Sequence, residues 1–289
     1  MLYFLLFITV LSLASSNILA AFYNRQSAGL AGASPFYNVL RQGANFLCWL
    51  VLFLIKGGVD VRILPYSFLF AAFFLLCSTL CVYTLQAGPL MLTSLISQMS
   101  LIATTIWGFF FWGEDFSLLV GGGLILVVVS IYLCLKEERG KEQKSITMLW
   151  LILVFGMFVT NAGASIVQTT QQMNFNGQGG PFLMVVATGI SAIANLILYL
   201  RSDRSQTPTL LRHHWHFPVF AGVGNMLLNF LVIYMATQPI SKSLVFPTLA
   251  IGGLTITVLF SHFVFHEKMR WWQWTGVALG AIAVGILSL

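Results

Sequence analysis

Four polar side chains recur at intervals of four, three and four residues inside one apolar stretch: Asn161, Ser165, Gln168 and Gln172. That spacing places all of them on one helical face. Asn225 and Asn229 lie one turn apart in another apolar stretch, and Asn17 stands late in the first. Thr79, Tyr83 and Gln86, then Ser97, Gln98 and Thr105, bring hydroxyls and amides to two more. Such groups donate and accept hydrogen bonds without carrying charge near neutral pH. Singly, each would bond one helix to another, at about 0.6 kcal/mol. As a set they suit a path for a small polar or zwitterionic solute, and Asn17, Tyr83, Gln98, Asn161, Ser165, Gln168, Gln172, Asn225 and Asn229 are its candidate contacts.

Two basic residues join them, Arg41 well inside an apolar stretch and Lys242 at the start of another beside Pro239. A charge at depth costs roughly 2.5–3.5 kcal/mol or more unless it pairs or reaches the interface. Each therefore serves as a structural anchor or as a binder of an anion or carboxylate. Pro247 with Gly252 and Gly253 supplies a place where a helix bends, a candidate gate.

All eight acidic residues (Asp60, Glu114, Asp115, Glu137, Glu138, Glu142, Asp203 and Glu267) fall between apolar stretches or at their ends. A carboxylate that shuttles protons at mid-membrane is therefore not expected. His213, His214 and His216 flank Trp215 with no partner cysteine or carboxylate pattern, so no metal site is expected. Cys48, Cys77, Cys81 and Cys134 lie in apolar segments and read as small packing thiols. No nucleophile, acid–base pair or cofactor motif stands at depth, which disfavours an enzyme.

The elements that position these residues are dictated by composition. Hydrophobic residues fill 58% of 289 positions and charged residues 8%, against about 25% charged in a soluble domain. A soluble core of this size cannot hide that much apolar surface, so lipid is the second solvent. Lipid admits only helix bundles or closed barrels, and continuous runs of about 20 apolar residues select helices. Ten spans result, near residues 2–22, 34–55, 66–85, 90–111, 118–135, 148–170, 181–200, 218–236, 241–265 and 271–289. The basic residues scatter between spans, which excludes a nucleic-acid surface. The first span lacks a basic leader and a clear cleavage site and reads as a retained helix. Seven tryptophans at span ends, Trp107, Trp112, Trp150, Trp215, Trp271, Trp272 and Trp274, fit interfacial anchors.

The halves echo one another. Phe-Trp-Gly-Glu closes the fourth span at Glu114, and Gly123 follows nine residues on; Phe-His-Glu closes the ninth at Glu267, and Gly276 follows nine residues on. Asn17 and Asn161 sit late in the first helix of each half, and Pro35-Phe36 and Pro181-Phe182 open the next. Five helices per half send the second copy in from the opposite side, an inverted-topology repeat. The expected fold is thus an all-α integral membrane protein of ten transmembrane helices. Residues 1–135 and 148–289 form its two inverted five-helix repeats, with a cytoplasmic linker at 136–147.

With Asn17, Ser34-Pro35, Arg41, Gly113-Glu114 with Gly123, and Glu267 with Gly276, the chain resembles the EamA-type branch of the drug/metabolite transporter superfamily. Gln98 stands where that family commonly carries a proline. The resemblance implies a central cavity lined mainly by helices one, three, four, six, eight and nine, and alternating access. It also implies transport, often outward, of amino acids, other metabolites or drug-like molecules. The four-helix small multidrug resistance relatives exchange protons on a membrane carboxylate that has no counterpart here. A secondary transporter and exporter of a small organic solute, without a cofactor, is the expectation. A non-transporting membrane scaffold or an intramembrane enzyme is the alternative. The glycine-rich helices, with Gly121, Gly122 and Gly123 in one and Gly276 and Gly280 in another, also offer a face for homodimer formation.

Basic residues set the orientation. Odd-numbered connections hold Arg25; Lys136, Arg139, Lys141 and Lys144; Arg201, Arg204 and Arg212; and Lys268 and Arg270. Even-numbered ones hold Lys56, Arg62 and, at a helix edge, Lys242. This bias puts the odd connections in the cytoplasm and both termini outside, in the inner membrane of a bacterium. Single cysteines at Lys141 or Arg204, in a cysteine-free background, should therefore resist an impermeant thiol reagent in intact cells. Ready labelling of both from outside would refute the orientation.

Overall fold

The computed structural model describes residues 1–27, 29–87, 90–136, 147–264 and 269–288. It is 85% helical, with no strand among the described residues. The helices are α1 (Leu2–Gln26), α2 (Ala33–Lys56), α3 (Leu64–Ala87), α4 (Leu90–Phe111), α5 (Leu118–Leu135), α6 (Met148–Asn174), α7 (Gly180–Leu200), α8 (Thr207–His213), α9 (His216–Met235), α10 (Lys242–Val264) and α11 (Trp271–Leu287). Among the described residues seven helices are long and apolar enough to cross a bilayer: α1, α2, α3 with its preceding turn, α6, α7, α9 and α10. Apolar helices at Ile96–Phe111, Leu118–Cys134 and Trp271–Leu287 are shorter. Large side chains such as Leu54, Phe110 and Leu118 stand fully outward, as lipid-facing residues do.

Helices stand at each of the expected positions, seven of them long and apolar enough to cross a bilayer among the described residues, while those at 90–111, 118–135 and 271–289 hold the shorter apolar stretches. The connection 201–214 holds one unexpected element, α8, a two-turn helix opened by Pro208. Its single buried residue, Leu210, packs with Tyr23 and Phe36. Too short and too polar to show as an apolar run, it left no periodic signal.

The chain forms two compact units. Unit 1 comprises Tyr3–Ala72 and Gln171–Gln238, and unit 2 comprises Phe73–Thr170 and Pro239–Leu289. The chain path divides α3 after Ala72 and α6 after Thr170.

In unit 1, α2 is the hub and packs on α7, α9 and α8. Both α2 and α7 start from a left-handed glycine, Gly32 (φ 72°) and Gly179 (φ 72°). A Cβ at Gly32 would lie 2.1 Å from the Asp203 carbonyl oxygen, and one at Gly179 would lie 2.0 Å from Ile63 Cδ1. Only glycine serves at either corner.

In unit 2, α5 packs along α11, and α10 packs on α4, α5 and α11. The two glycines that echo between the halves face each other's helices. A Cβ on Gly123 would meet the Leu287 side chain of α11 at 2.8 Å. One on Gly276 would meet the Cys134 backbone nitrogen of α5 at 2.9 Å. Ser130 Oγ completes the contact by donating to the Gly276 carbonyl at 2.5 Å. Gly280 closes against Ile251 and Ser130. These glycines of the small-residue face are thus engaged within the chain, whereas Gly122 has open space around it.

Gly276→Val should force α5 and α11 apart and cost about 1–3 kcal/mol, read as a lower melting temperature of the detergent-solubilised protein. Gly122→Ala should leave it within experimental error. Equal melting of both variants would show that the helices are not held at backbone contact.

Candidate functional site

In unit 2, the amide expected from the sequence meets α4. Asn161 Nδ2 donates to Ser100 Oγ at 2.6 Å and to the Ser97 carbonyl at 3.4 Å. Ser165 returns its hydroxyl to the Asn161 carbonyl at 3.4 Å, and Gln168 is buried further along the same face. Gln98 is half-buried on α4, and Tyr83 on α3 is exposed. The Gln86 side chain and Glu267 lie outside the described residues.

At the start of α10, Glu114 Oε2 accepts from Ser241 Oγ (2.6 Å) and from the backbone N–H groups of Lys242 (2.8 Å) and Ser243 (3.3 Å). Its other oxygen is 3.4 Å from Lys242 Nζ, with both side chains largely buried. The carboxylate therefore occupies the donors that a helix N-terminus leaves open. It also takes up the ammonium proposed as a solute contact. Further along, α10 runs unbroken through Pro247, past half-buried Gly252 and buried Gly253. Pro247 withholds one backbone hydrogen bond from that helix.

Unit 1 gathers a second polar set. Tyr37, Arg41, Asn45 and Trp49 follow one another at four-residue intervals along α2. Glycine lets α9 approach this face, since a Cβ on Gly222 would lie 2.4 Å from the Arg41 carbonyl oxygen. Asn225 Oδ1 accepts from Asn45 Nδ2 and from Asn229 Nδ2, both at 3.2 Å. Four atoms of the row, Tyr37 Oη, Arg41 Nε, Asn45 Oδ1 and Trp49 Nε1, are buried without a hydrogen-bond partner. The Arg41 guanidinium lies 5.9 Å from the centre of the Tyr37 ring. Asn17 is exposed on α1.

The row leads to a cleft of about 650 Å³ at the C-terminal ends of α2, α6 and α9 and the start of α7. Trp49 and Gln172, each fully buried, form part of its wall. Gln172 Nε2 donates to Gln171 Oε1, and Gln171 in turn donates to the Gln178 carbonyl at 3.0 Å. Gln172 Oε1 is left buried and without a partner. Lys56 lies over the Phe230 ring at 5.4 Å. Asp60 on the rim is taken by Arg62, with Nη2–Oδ2 at 2.8 Å and a further bond from the Arg62 N–H at 3.0 Å. Those bonds hold its carboxyl below the usual carboxylate range. Elsewhere in the connections, burial and then the neighbouring His213 and His216 hold the His214 imidazole below its ordinary pKa.

The structure thus brings Asn225 and Asn229 together, sets Asn161 on α4, pairs Lys242 and puts Gln172 on a cleft wall. It gathers no single cluster from all the sequence candidates. Asn45, Trp49 and Lys56 were missed, although Asn45 and Trp49 stand one and two turns beyond Arg41 on the same face.

Residues 146–289 match the EamA-like transporter family. The chain belongs to the EamA-like transporter family. Its members are membrane transporters of small solutes, and this chain is a multi-pass membrane protein. Over 111 residues it is 31% identical to the uncharacterized protein y4nH of Sinorhizobium fredii (strain NBRC 101917 / NGR234), a match covering 38% of this chain and 93% of that relative. A protein known from its crystal structure aligns with a TM-score of 0.76 at 9% identity, covering 98% of this chain and 94% of that one. That likeness shows the fold.

For this EamA-like chain, Glu114→Ala should remove the cap of α10 and strand Lys242. The expected loss is about 0.5–2 kcal/mol, seen in thermal melts of the solubilised protein. Glu114→Gln keeps an acceptor for the N–H groups and should recover part of it. No change on Glu114→Ala would dismiss the capping role.

Proposed function

We propose that the protein is a secondary transporter carrying a small polar or zwitterionic organic solute, such as an amino acid, another metabolite or a drug-like molecule. In this reading it works by alternating access and moves the solute outward across the inner membrane of a bacterium. The carrying observation is the set of buried amides with unused bonding capacity, Asn45 Oδ1 and Gln172 Oε1. A buried acceptor without a donor costs about 1–3 kcal/mol. Helix adhesion alone gives no reason to retain that cost, whereas a solute or water in another state supplies the missing donor.

The carboxylates bear on the driving force. Among the described residues Asp60, Asp115 and Asp203 lie in connections, and Glu114 is ion-paired at a helix end. Such a set leaves no acidic group at mid-membrane to bind a coupling proton, which favours a facilitator or exchanger.

The proposed architecture is ten spans in two inverted repeats. The contacts α2·α7, α4·α10 and α5·α11 each join a helix to its counterpart in the other half, which supports it. So do the matching glycine starts of α2 and α7. The cleft draws its loops from the second, sixth and eighth connections; the even-numbered connections hold far fewer basic residues than the odd-numbered ones, and that imbalance supports placing both termini outside. The outward direction rests on the resemblance to exporting members of the family.

Counterflow of labelled solute in proteoliposomes, run over a panel of amino acids and metabolites, tests the reading. Exchange should proceed with no pH gradient. Strict dependence on a proton gradient, lost on neutralising one acidic residue, would overturn the coupling argument. Absence of exchange across the panel would overturn the transport argument.

A further inference from the structure

We propose that the cleft in unit 1 is a binding site for a small carboxylate-bearing solute with a flat apolar body. The inference rests on the transport reading for its use to the cell, while binding itself is measurable apart from flux.

Charge and hydrogen-bonding capacity around the cleft point the same way. Lys56 brings an ammonium to the rim, and among the described residues no carboxylate pairs with it. The acidic rim residue, Asp60, has both oxygens engaged by Arg62. The uncommitted charge of the cleft is therefore positive. Trp49 adds a donor whose partner is absent: its ring is fully buried, it lines the cleft, and Nε1 bonds to nothing. Indole N–H only donates, so the missing partner is an acceptor.

These two donors share a neighbourhood. Trp49 and Lys56 are seven residues apart on one face of α2. Both flank Phe230, the indole at 6.4 Å between ring centres and the ammonium at 5.4 Å. A carboxylate at that point accepts from a cation and from a desolvated N–H together, the stronger class of hydrogen bond. Phe230 and Tyr234 provide flat walls beside it, suited to an aromatic or planar body.

The opposite requirement stands elsewhere on the wall. Gln172 Oε1 is a fully buried acceptor without a donor. A solute that also carries an ammonium, amide or hydroxyl group satisfies it. Two orphaned side chains of opposite polarity, each fully buried, thus line one cleft of about 650 Å³. That volume falls within the range of small-molecule sites, roughly 300–1,000 Å³.

Thermal-shift titrations of the full-length protein in detergent provide the test, with L-phenylalanine, 3-phenylpropionate and phenylalaninamide as probes. The first two keep the carboxylate and the third lacks it. Both carboxylates should stabilise the protein saturably, with apparent affinity at least about tenfold above that of the amide. Lys56→Gln, at an exposed position, should erase that preference. Trp49→Phe should keep an aromatic ring on the wall without its N–H and, with each shift read against the variant's own unliganded melting temperature, weaken both carboxylates severalfold. Equal binding of the amide, a preference that survives Lys56→Gln, or no saturable binding by any probe would each overturn the site. Counterflow that persists when no probe binds would remove the site and spare the transporter. Binding without counterflow would do the reverse.

Discussion

A backbone amide inside hydrocarbon has no water to bond, and every other feature of this chain follows from that. Helices satisfy the constraint within one segment, so sequence can place greasy side chains outward and need spend none on the backbone. The same rule governs many of the hydroxyls. Thr9, Ser12, Thr84, Thr104, Thr160 and Thr188 return their protons to a carbonyl one turn back. Such residues carry no message about solute. A buried polar atom that finds nothing is different, because lipid and helix alike have failed to supply its partner.

The two units use polar groups differently. Unit 2 closes most of its bonds: Asn161 on Ser100, Glu114 on the start of α10 and on Lys242, Ser130 on Gly276. Among the described residues the buried side-chain atoms without partners there are the hydroxyls of Thr169 and Thr248. Unit 1 leaves open a row along α2, one amide of α6, the Ser191 hydroxyl and the His214 Nδ1, and of these Trp49 and Gln172 line the cleft. Saturated networks hold an arrangement in place.

Close backbone contact does the remaining work. Lipid removes most of the hydrophobic drive between helices, so association depends on fit. Gly123 and Gly276 give that fit to α5 and α11, and Gly222 gives it to α2 and α9. At Gly222 the close approach also sets polar groups. It brings Asn225 within reach of Asn45 and holds the buried row against a second helix.

The sequence by itself determined the class of fold and nearly all the helix positions. The stretches expected at 2–22, 181–200 and 218–236 fall on α1, α7 and α9, each long and apolar enough to cross a bilayer, because span length is set by hydrocarbon thickness and span content by lipid. It also determined that Asn161, Ser165, Gln168 and Gln172 share a face, since helical period is a local property. It did not reveal α8, whose seven residues carry no apolar run. Nor did it reveal partners. Asn45 and Asn225 lie 180 positions apart, and Glu114 meets the Lys242 N–H from 128 away. Whether a polar side chain on a span ends up bonded, ion-paired or orphaned depends on which helix faces it. That choice is made by tertiary packing of apolar surfaces that look alike in sequence, so Lys242 was bound into a salt bridge while Trp49 and Gln172 were left open at a cleft.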